Sequence, residues 1–282
     1  MSSDSLRAVL IGADSLLLEC GDVLLDKAQS IVAVVSDAPK VRAWATQRGL
    51  RVLALSDCLP QLAQERFDYL FAITHLAILP EALLALPRLG AINFHDGPLP
   101  RYAGLNAPAW ALMRGETHYG ISWHEIRGGI DEGDILKQRE FEIGPGETSL
   151  SLNTRNFAAA IESFSELVDE LVQGRSTRTP QDLRQRSYFG KHQRPEAAAV
   201  LEFDRPAREL AALVRGLDFG EYENALALPK WVHRGAWLSV RAAEATEGES
   251  GAPPGTVLAI DDDAITIATG SGALRILELS KA

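Results

Sequence analysis

Five short apolar runs separated by helix-patterned stretches constrain this chain more than any other feature. The runs are Arg7–Ile11, Ser30–Val35, Arg51–Leu55, Tyr69–Thr74 and Ala91–His95. They are apolar almost throughout rather than alternating, which suits strands covered on both faces. Between them, Leu16–Leu25, Val41–Arg48 and Gln61–Arg66 place apolar residues at helical intervals. Strands alternating with helices predict an α/β fold: a Rossmann-like, mostly parallel sheet with helices on both faces.

The pattern continues with a helix over Ala107–Met113 and strands over Gly120–Ile126 and Ile135–Ile143. Ser149–Val172 then reads as a long amphipathic helix carrying Phe157, Ile161, Phe164, Val168 and Leu171, with Gly174 as its C-cap. The polar, Pro/Gly-punctuated stretch from Arg175 to Arg194 reads as a linker. Beyond it a helix is expected over Pro206–Gly216, with strands over Trp231–Ala242, Gly255–Ile260, Ala264–Thr269 and Leu274–Leu279. Asp261-Asp262-Asp263 suits a hairpin turn better than a metal site, because no flanking ligands accompany it. The expected organisation is a large α/β domain over 1–180, a linker over 181–194 and a small β-rich domain over 195–282.

Composition excludes several classes. A net charge of −10 leaves no basic footprint for DNA. The two cysteines, Cys20 and Cys58, form no Cys-x-x-Cys and read as reduced thiols. Met1-Ser2-Ser3-Asp4-Ser5 lacks a cationic apolar signal, and no apolar run approaches the roughly 20 residues a membrane span needs. A cytoplasmic protein without a membrane partner is the expectation.

Three segments could carry chemistry. Gly12-Ala13-Asp14-Ser15 sits where a dinucleotide fingerprint would begin, but its second and third glycines are missing, so Gly12 reads as a strand-to-helix turn. Asn93 and His95, two apart on a strand, point the same way at the expected carboxyl end of the sheet. A capping amide beside a satisfied histidine would look the same. The glycine and prolines of Asp96-Gly97-Pro98-Leu99-Pro100 nevertheless build a rigid loop beside them, as sites require. In Gly128-Gly129-Ile130-Asp131-Glu132-Gly133-Asp134, three glycines and three carboxylates make a tight loop: a plain turn, or a carboxylate presented to a histidine. His75, His118, His124, His192 and His233 read as structural or surface residues, and no metal site is expected. No Gly-x-Ser-x-Gly elbow or phosphate-binding P-loop is present.

Leu70–Pro80, Asn93-Phe94-His95, Leu99-Pro100-Arg101-Tyr102-Ala103-Gly104 and Gly129–Leu136 together resemble the formyltransferase family over most of residues 7–180. Pro254-Gly255-Thr256-Val257 and Gly272–Leu277 resemble its C-terminal, OB-like domain. The family uses 10-formyltetrahydrofolate, as in methionyl-tRNA formyltransferase and the amino-sugar formyltransferases. The resemblance implies Asn93, His95 and Asp131 as catalytic residues, with Ile78, Leu79, Pro80, Gly129, Ile130 and Asp134 on the folate side. Where the family often has Ser-Leu-Leu-Pro after the histidine, this chain has Asp96-Gly97-Pro98-Leu99-Pro100. Phe94-His95-Asp96 with Leu105-Asn106-Ala107 resembles formyltransferase domains of nonribosomal peptide synthetases, so Asp96, Tyr102 and Asn106 are expected on the substrate side.

The resemblance implies formyl transfer to a primary amine, with an aminoacyl group on a peptidyl carrier protein as the favoured acceptor. Hydroxyornithine, an amino sugar nucleotide and methionyl-tRNA are the alternatives, and hydrolysis of the formyl-folate is the rival reaction. Transfer RNA is disfavoured on charge, because ten Lys/Arg face fourteen Asp/Glu from residue 191 onward.

Overall fold

The computed structural model describes residues 5–248 and 251–281. They form two compact units: one comprising residues up to 103, 120–140 and 155–187, the other 104–119, 141–154 and 188 onward.

The first unit is built on a seven-stranded sheet of order β3-β2-β1-β4-β5-β7-β8. The strands β1 (Arg7–Gly12), β2 (Ser30–Val35), β3 (Val52–Leu53), β4 (Tyr69–Ile73) and β5 (Gly90–His95) alternate with α1 (Ser15–Asp26), α2 (Pro39–Gln47), α3 (Cys58–Leu62) and α4 (Glu81–Leu84). All pairings among β1–β5 are parallel. The continuous apolar character of β1 and β4 is explained by burial, since Val9, Leu10 and Ile11 pair with Leu70, Phe71 and Ala72 and all six are buried. After β6 (Ala103–Gly104) and α5 (Ala107–Met113), β7 (His118–Glu125) enters antiparallel to β5, and β8 (Ile135–Glu142) lies beside it. The long helix α6 spans Ser149–Val172 as its spacing predicts. Gly174, at φ 63°, closes it: Arg175 N–H bonds Glu170 O and Gly174 N–H bonds Leu171 O, a Schellman cap.

Gly12 is required by space. A Cβ there would lie 1.8 Å from Ile73 O, so β1 and β4 approach as closely as they do only because the residue is glycine.

In the second unit β9 (Tyr188–Phe189) pairs with β6. The helix α7 (Ala207–Gly216) packs Leu210, Ala211 and Val214 on Val240, Ala243, Ile267 and Leu274 of an antiparallel sheet. That sheet has the order β10-β11-β14-β13-β12, from β10 (Lys230–His233), β11 (Ala236–Thr246), β12 (Val257–Ile260), β13 (Ile265–Ala268) and β14 (Ala273–Lys281). The expected strand over Trp231–Ala242 is a hairpin instead. Arg234 and Gly235 take φ of 49° and 79°, the two left-handed residues of a tight two-residue turn. Asp261-Asp262-Asp263 does form the β12–β13 turn, with Asp261 Oδ1 accepting from the Asp263 and Ala264 amides at 3.0 and 2.8 Å. No described helix is long and apolar enough to cross a membrane.

Candidate active site

Asn93 and His95 occupy the carboxyl end of β5, their direction set by the strand's two-residue period. The antiparallel register places His124 of β7 opposite Asn93 and Ser122 opposite His95. Directly paired residues share a face, so four polar side chains gather at one strand end.

His124 is only 2% exposed. Its Nδ1 lies 2.8 Å from Glu125 O, a carbonyl that can only accept, so this nitrogen carries the hydrogen. That leaves Nε2 as an acceptor, 3.1 Å from Asn93 Nδ2. One hydrogen of the Asn93 amide is thereby held, and the group is oriented. Sequence patterning misses His124 because nothing within β7 distinguishes it from a core histidine. Its meaning comes from cross-strand register, which only the folded sheet supplies.

His95 is 5% exposed and likewise fixed. Its Nε2 donates to Tyr102 O at 2.8 Å. Nδ1 faces two carboxylates, Asp131 Oδ2 at 3.6 Å and Asp96 Oδ1 at 3.9 Å. The loop after His95, expected to be rigid, is tied at Gly97 and Leu99 by side-chain hydrogen bonds. Ser122 Oγ donates to Gly97 O and accepts from Leu99 N–H, while Gln138 Nε2 donates to Leu99 O and to Ser122 Oγ. A Cβ on Gly97 would sit 2.8 Å from His95 Nε2, so this position must be bare.

Asp131 arrives from the loop after β7 at a left-handed φ of 57°. Its Oδ1 is 3.4 Å from His124 Nε2, and its Oδ2 is the oxygen facing His95. The same loop needs Gly133, where a Cβ would meet Glu125 O at 1.9 Å. The segment read as a linker holds this loop. Gln181 Nε2 donates to Asp131 O at 2.9 Å and Gly133 O at 2.7 Å, and Arg186 Nη2 donates to Ile130 O. Arg178 meets the buried Glu125 carboxylate at 2.5 Å, a contact that raises the guanidinium pKa. Thr179 pairs with Ile135, and Ser187 Oγ accepts from Tyr102 N–H.

The remaining expected residues are placed unevenly. Ile78, Leu79 and Pro80 follow the carboxyl end of β4, the neighbour of β5; Ile78 is 83% exposed, and Leu79 packs partly into the core. Gly129 and Ile130 form the exposed tip of the Asp131 loop, while Asp134 contributes its carbonyl to Glu125 N–H. Tyr102 meets the site through its backbone, for its ring is buried. Asp96 keeps 30% of its side chain exposed; desolvation of the carboxyl raises its pKa, His95 opposes that rise and Asp131 adds to it. Asn106 belongs to the second unit, where it caps α5 from a left-handed conformation. No group of metal-ligating side chains occurs among the described residues.

Residues 20–168 match the model of the formyl transferase family, and residues 195–282 match that of the formyl transferase C-terminal domain. A methionyl-tRNA formyltransferase of Geobacter metallireducens is 31% identical over 274 residues, covering 91% of this chain and 85% of the relative. One from Chromohalobacter salexigens is 32% identical over 297 residues, covering 99% and 90%. Among solved structures, an N-formyltransferase from Helicobacter canadensis, in complex with folinic acid and dTDP-3-aminofucose, superposes with a TM-score of 0.76 at 16% identity, covering 98% of this chain and all of the other. HypX from Aquifex aeolicus, in complex with tetrahydrofolic acid, gives 0.66 at 19% identity, with 99% of this chain on 44% of that one.

Proposed function

We infer the reaction from one premise: this chain belongs to the formyltransferase family. The reading is transfer of a formyl group from 10-formyltetrahydrofolate to a primary amine. The observation that carries it is the cluster of Asn93, His124, Asp131 and His95 at one strand end. The amine nitrogen bonds to the formyl carbon, giving a tetrahedral oxyanion. The bond to the folate N10 then breaks, N10 gains a proton and the amine loses one.

Each step has a candidate group. Asn93 donates its second amide hydrogen to the oxyanion while His124 holds the first. The proton lost by the amine goes to Asp131, an acceptor whose Oδ1 lies 3.4 Å from His124 Nε2. Both nitrogens of His95 already face protein acceptors, so direct oxyanion donation falls to Asn93. His95 contributes as a fixed group whose second proton would place positive charge between Asp131 and Asp96. The exposed apolar tips at Ile78 and Ile130 suit the flat pterin, with backbone groups of the 129–134 loop reading its edge.

For the acceptor we favour an aminoacyl group on a carrier protein. Asp96, where the family often has serine, supports it, since Phe94-His95-Asp96 with Leu105-Asn106-Ala107 resembles formyltransferase domains of nonribosomal peptide synthetases. A second reading, methionyl-tRNA, is favoured by the names of the curated relatives. Mass spectrometry with 10-formyltetrahydrofolate and a panel of amines separates them: aminoacyl carrier protein, methionyl-tRNA, hydroxyornithine and an amino sugar nucleotide. A formyl mass gain on the carrier-bound amine supports the first reading. Gain on the tRNA alone supports the second. Formate released without any amine would mark a hydrolase and overturn transfer.

A further inference from the structure

The second unit holds a feature that formyl transfer does not use. Arg208, Arg215 and Arg241 line one cleft of about 610 Å³ together with Thr148 and Gly146. Two devices bring the arginines there. Arg208 and Arg215 are seven residues apart on α7 and so share a helix face. Arg241 is the residue skipped between Val240 and Ala242 in the β11–β14 register, a bulge of the kind that re-aims a side chain.

None of the three arginines is paired with a carboxylate among the described residues. The buried Nε of Arg215 has no hydrogen-bond partner among the described residues, and burial lowers this guanidinium's pKa with no carboxylate opposing the shift. Its place in the last turn of α7 gives it a favourable helix dipole but leaves that Nε unbonded. Neither Arg208 nor Arg241 joins an ion pair among the described residues. Two acids also line the cleft, Glu244, which faces Arg275 at 3.8 Å, and Asp218, which accepts from Gly220 N–H at 2.9 Å, and the three arginines outnumber them. A half-buried guanidinium without a partner is costly unless an anion completes it.

A smaller hollow of about 220 Å³ adjoins this cleft, sharing Val214, Asp218 and Arg241 with it. Phe219 and Tyr222 line it, and Tyr222 is 73% exposed. The pair therefore offers a cationic end and an aromatic end.

We propose that these joined clefts bind an organic phosphate or diphosphate ester, with its phosphate on Arg208, Arg215 and Arg241 and an apolar or aromatic body against Phe219 and Tyr222. A small ligand fits better than a polynucleotide, because ten Lys/Arg are outweighed by fourteen Asp/Glu from residue 191 onward, while the arginine cluster is local.

Isothermal titration of the full chain with inorganic pyrophosphate and with adenosine diphosphate tests it. Both probes bind, the nucleotide more tightly. Arg215→Gln weakens both about tenfold, consistent with loss of a charge-assisted contact, and Arg215→Lys weakens them less. Tyr222→Ala weakens the nucleotide and leaves pyrophosphate unchanged. Arg208→Gln with Arg241→Gln, both at exposed positions, gives the same loss in a chain whose thermal unfolding matches the parent. Absence of binding by either probe would overturn the proposal. So would binding unchanged in the triple Arg→Gln variant, or a site that takes an RNA oligonucleotide and neither phosphate probe.

Discussion

The end of β5 and the loop that delivers Asp131 face the same histidines but are built differently. Asn93 and His95 ride on a central strand, hydrogen-bonded to β4 on one side and β7 on the other. Their directions follow from backbone pairing, and the adjoining loop is braced by the buried Ser122 and by Gln138. Asp131 has no ladder to hold it. It depends on a left-handed backbone and on side chains some fifty residues away in sequence, Gln181 above all. Groups of the first kind come with the fold, whereas the second kind is an added fitting that can be loosened without unfolding the sheet.

This contrast can be broken by substitution. Asp131→Ala removes the loop's functional group, and the expected loss in transfer rate is the largest, roughly 100- to 10,000-fold in steady-state kinetics. Asn93→Ala follows at about 100- to 1,000-fold, as for a lost oxyanion donor, with unchanged thermal unfolding. Gln181→Ala sharpens the comparison: activity falls about 10- to 100-fold as Asp131 loses its placement, while the melting temperature holds. Ser122→Ala should do the reverse. It unties Gly97 O and Leu99 N–H in a buried place, so denaturant unfolding should show a loss of about 1–3 kcal/mol. If Gln181→Ala unfolds the protein as readily as Ser122→Ala, the distinction fails.

The smallest effect concerns Asp96. Burial raises its carboxyl above the ordinary 3.8, so the folded state holds the proton more tightly than the unfolded chain does. The stability this contributes is present at low pH and lost as pH rises through the folded value. Asp96→Asn does not suffer that loss. Its melting temperature relative to the parent should therefore rise as pH climbs above the ordinary carboxylate range, by a margin softened by the side chain's partial exposure.

The parts legible in the sequence are those whose cause is local. β2 and α6 fall where their patterns place them, because burial on both faces and a helical stripe leave direct marks on composition. Asn93 and His95 were readable as a same-face pair for the same reason. What escaped reading depends on distant partners. His124 becomes a site residue through register with Asn93. Arg178, Gln181 and Ser187 look like polar linker residues until their contacts with Glu125, Asp131 and Tyr102 are known. Arg234 gives no turn signal because arginine seldom takes a left-handed φ. Tyr102 is expected on the substrate side, but its carbonyl is the group that meets His95.

The central claim is that this strand end transfers a formyl group. Its most direct test is mass spectrometry of the amine panel after incubation with 10-formyltetrahydrofolate and either the parent chain or His124→Ala, Asn93→Ala and Asp131→Ala variants of matched thermal stability. The account predicts a formyl mass gain on one amine with the parent chain and a strong, parallel loss in all three variants. Full transfer by the Asn93→Ala or Asp131→Ala variant would contradict it.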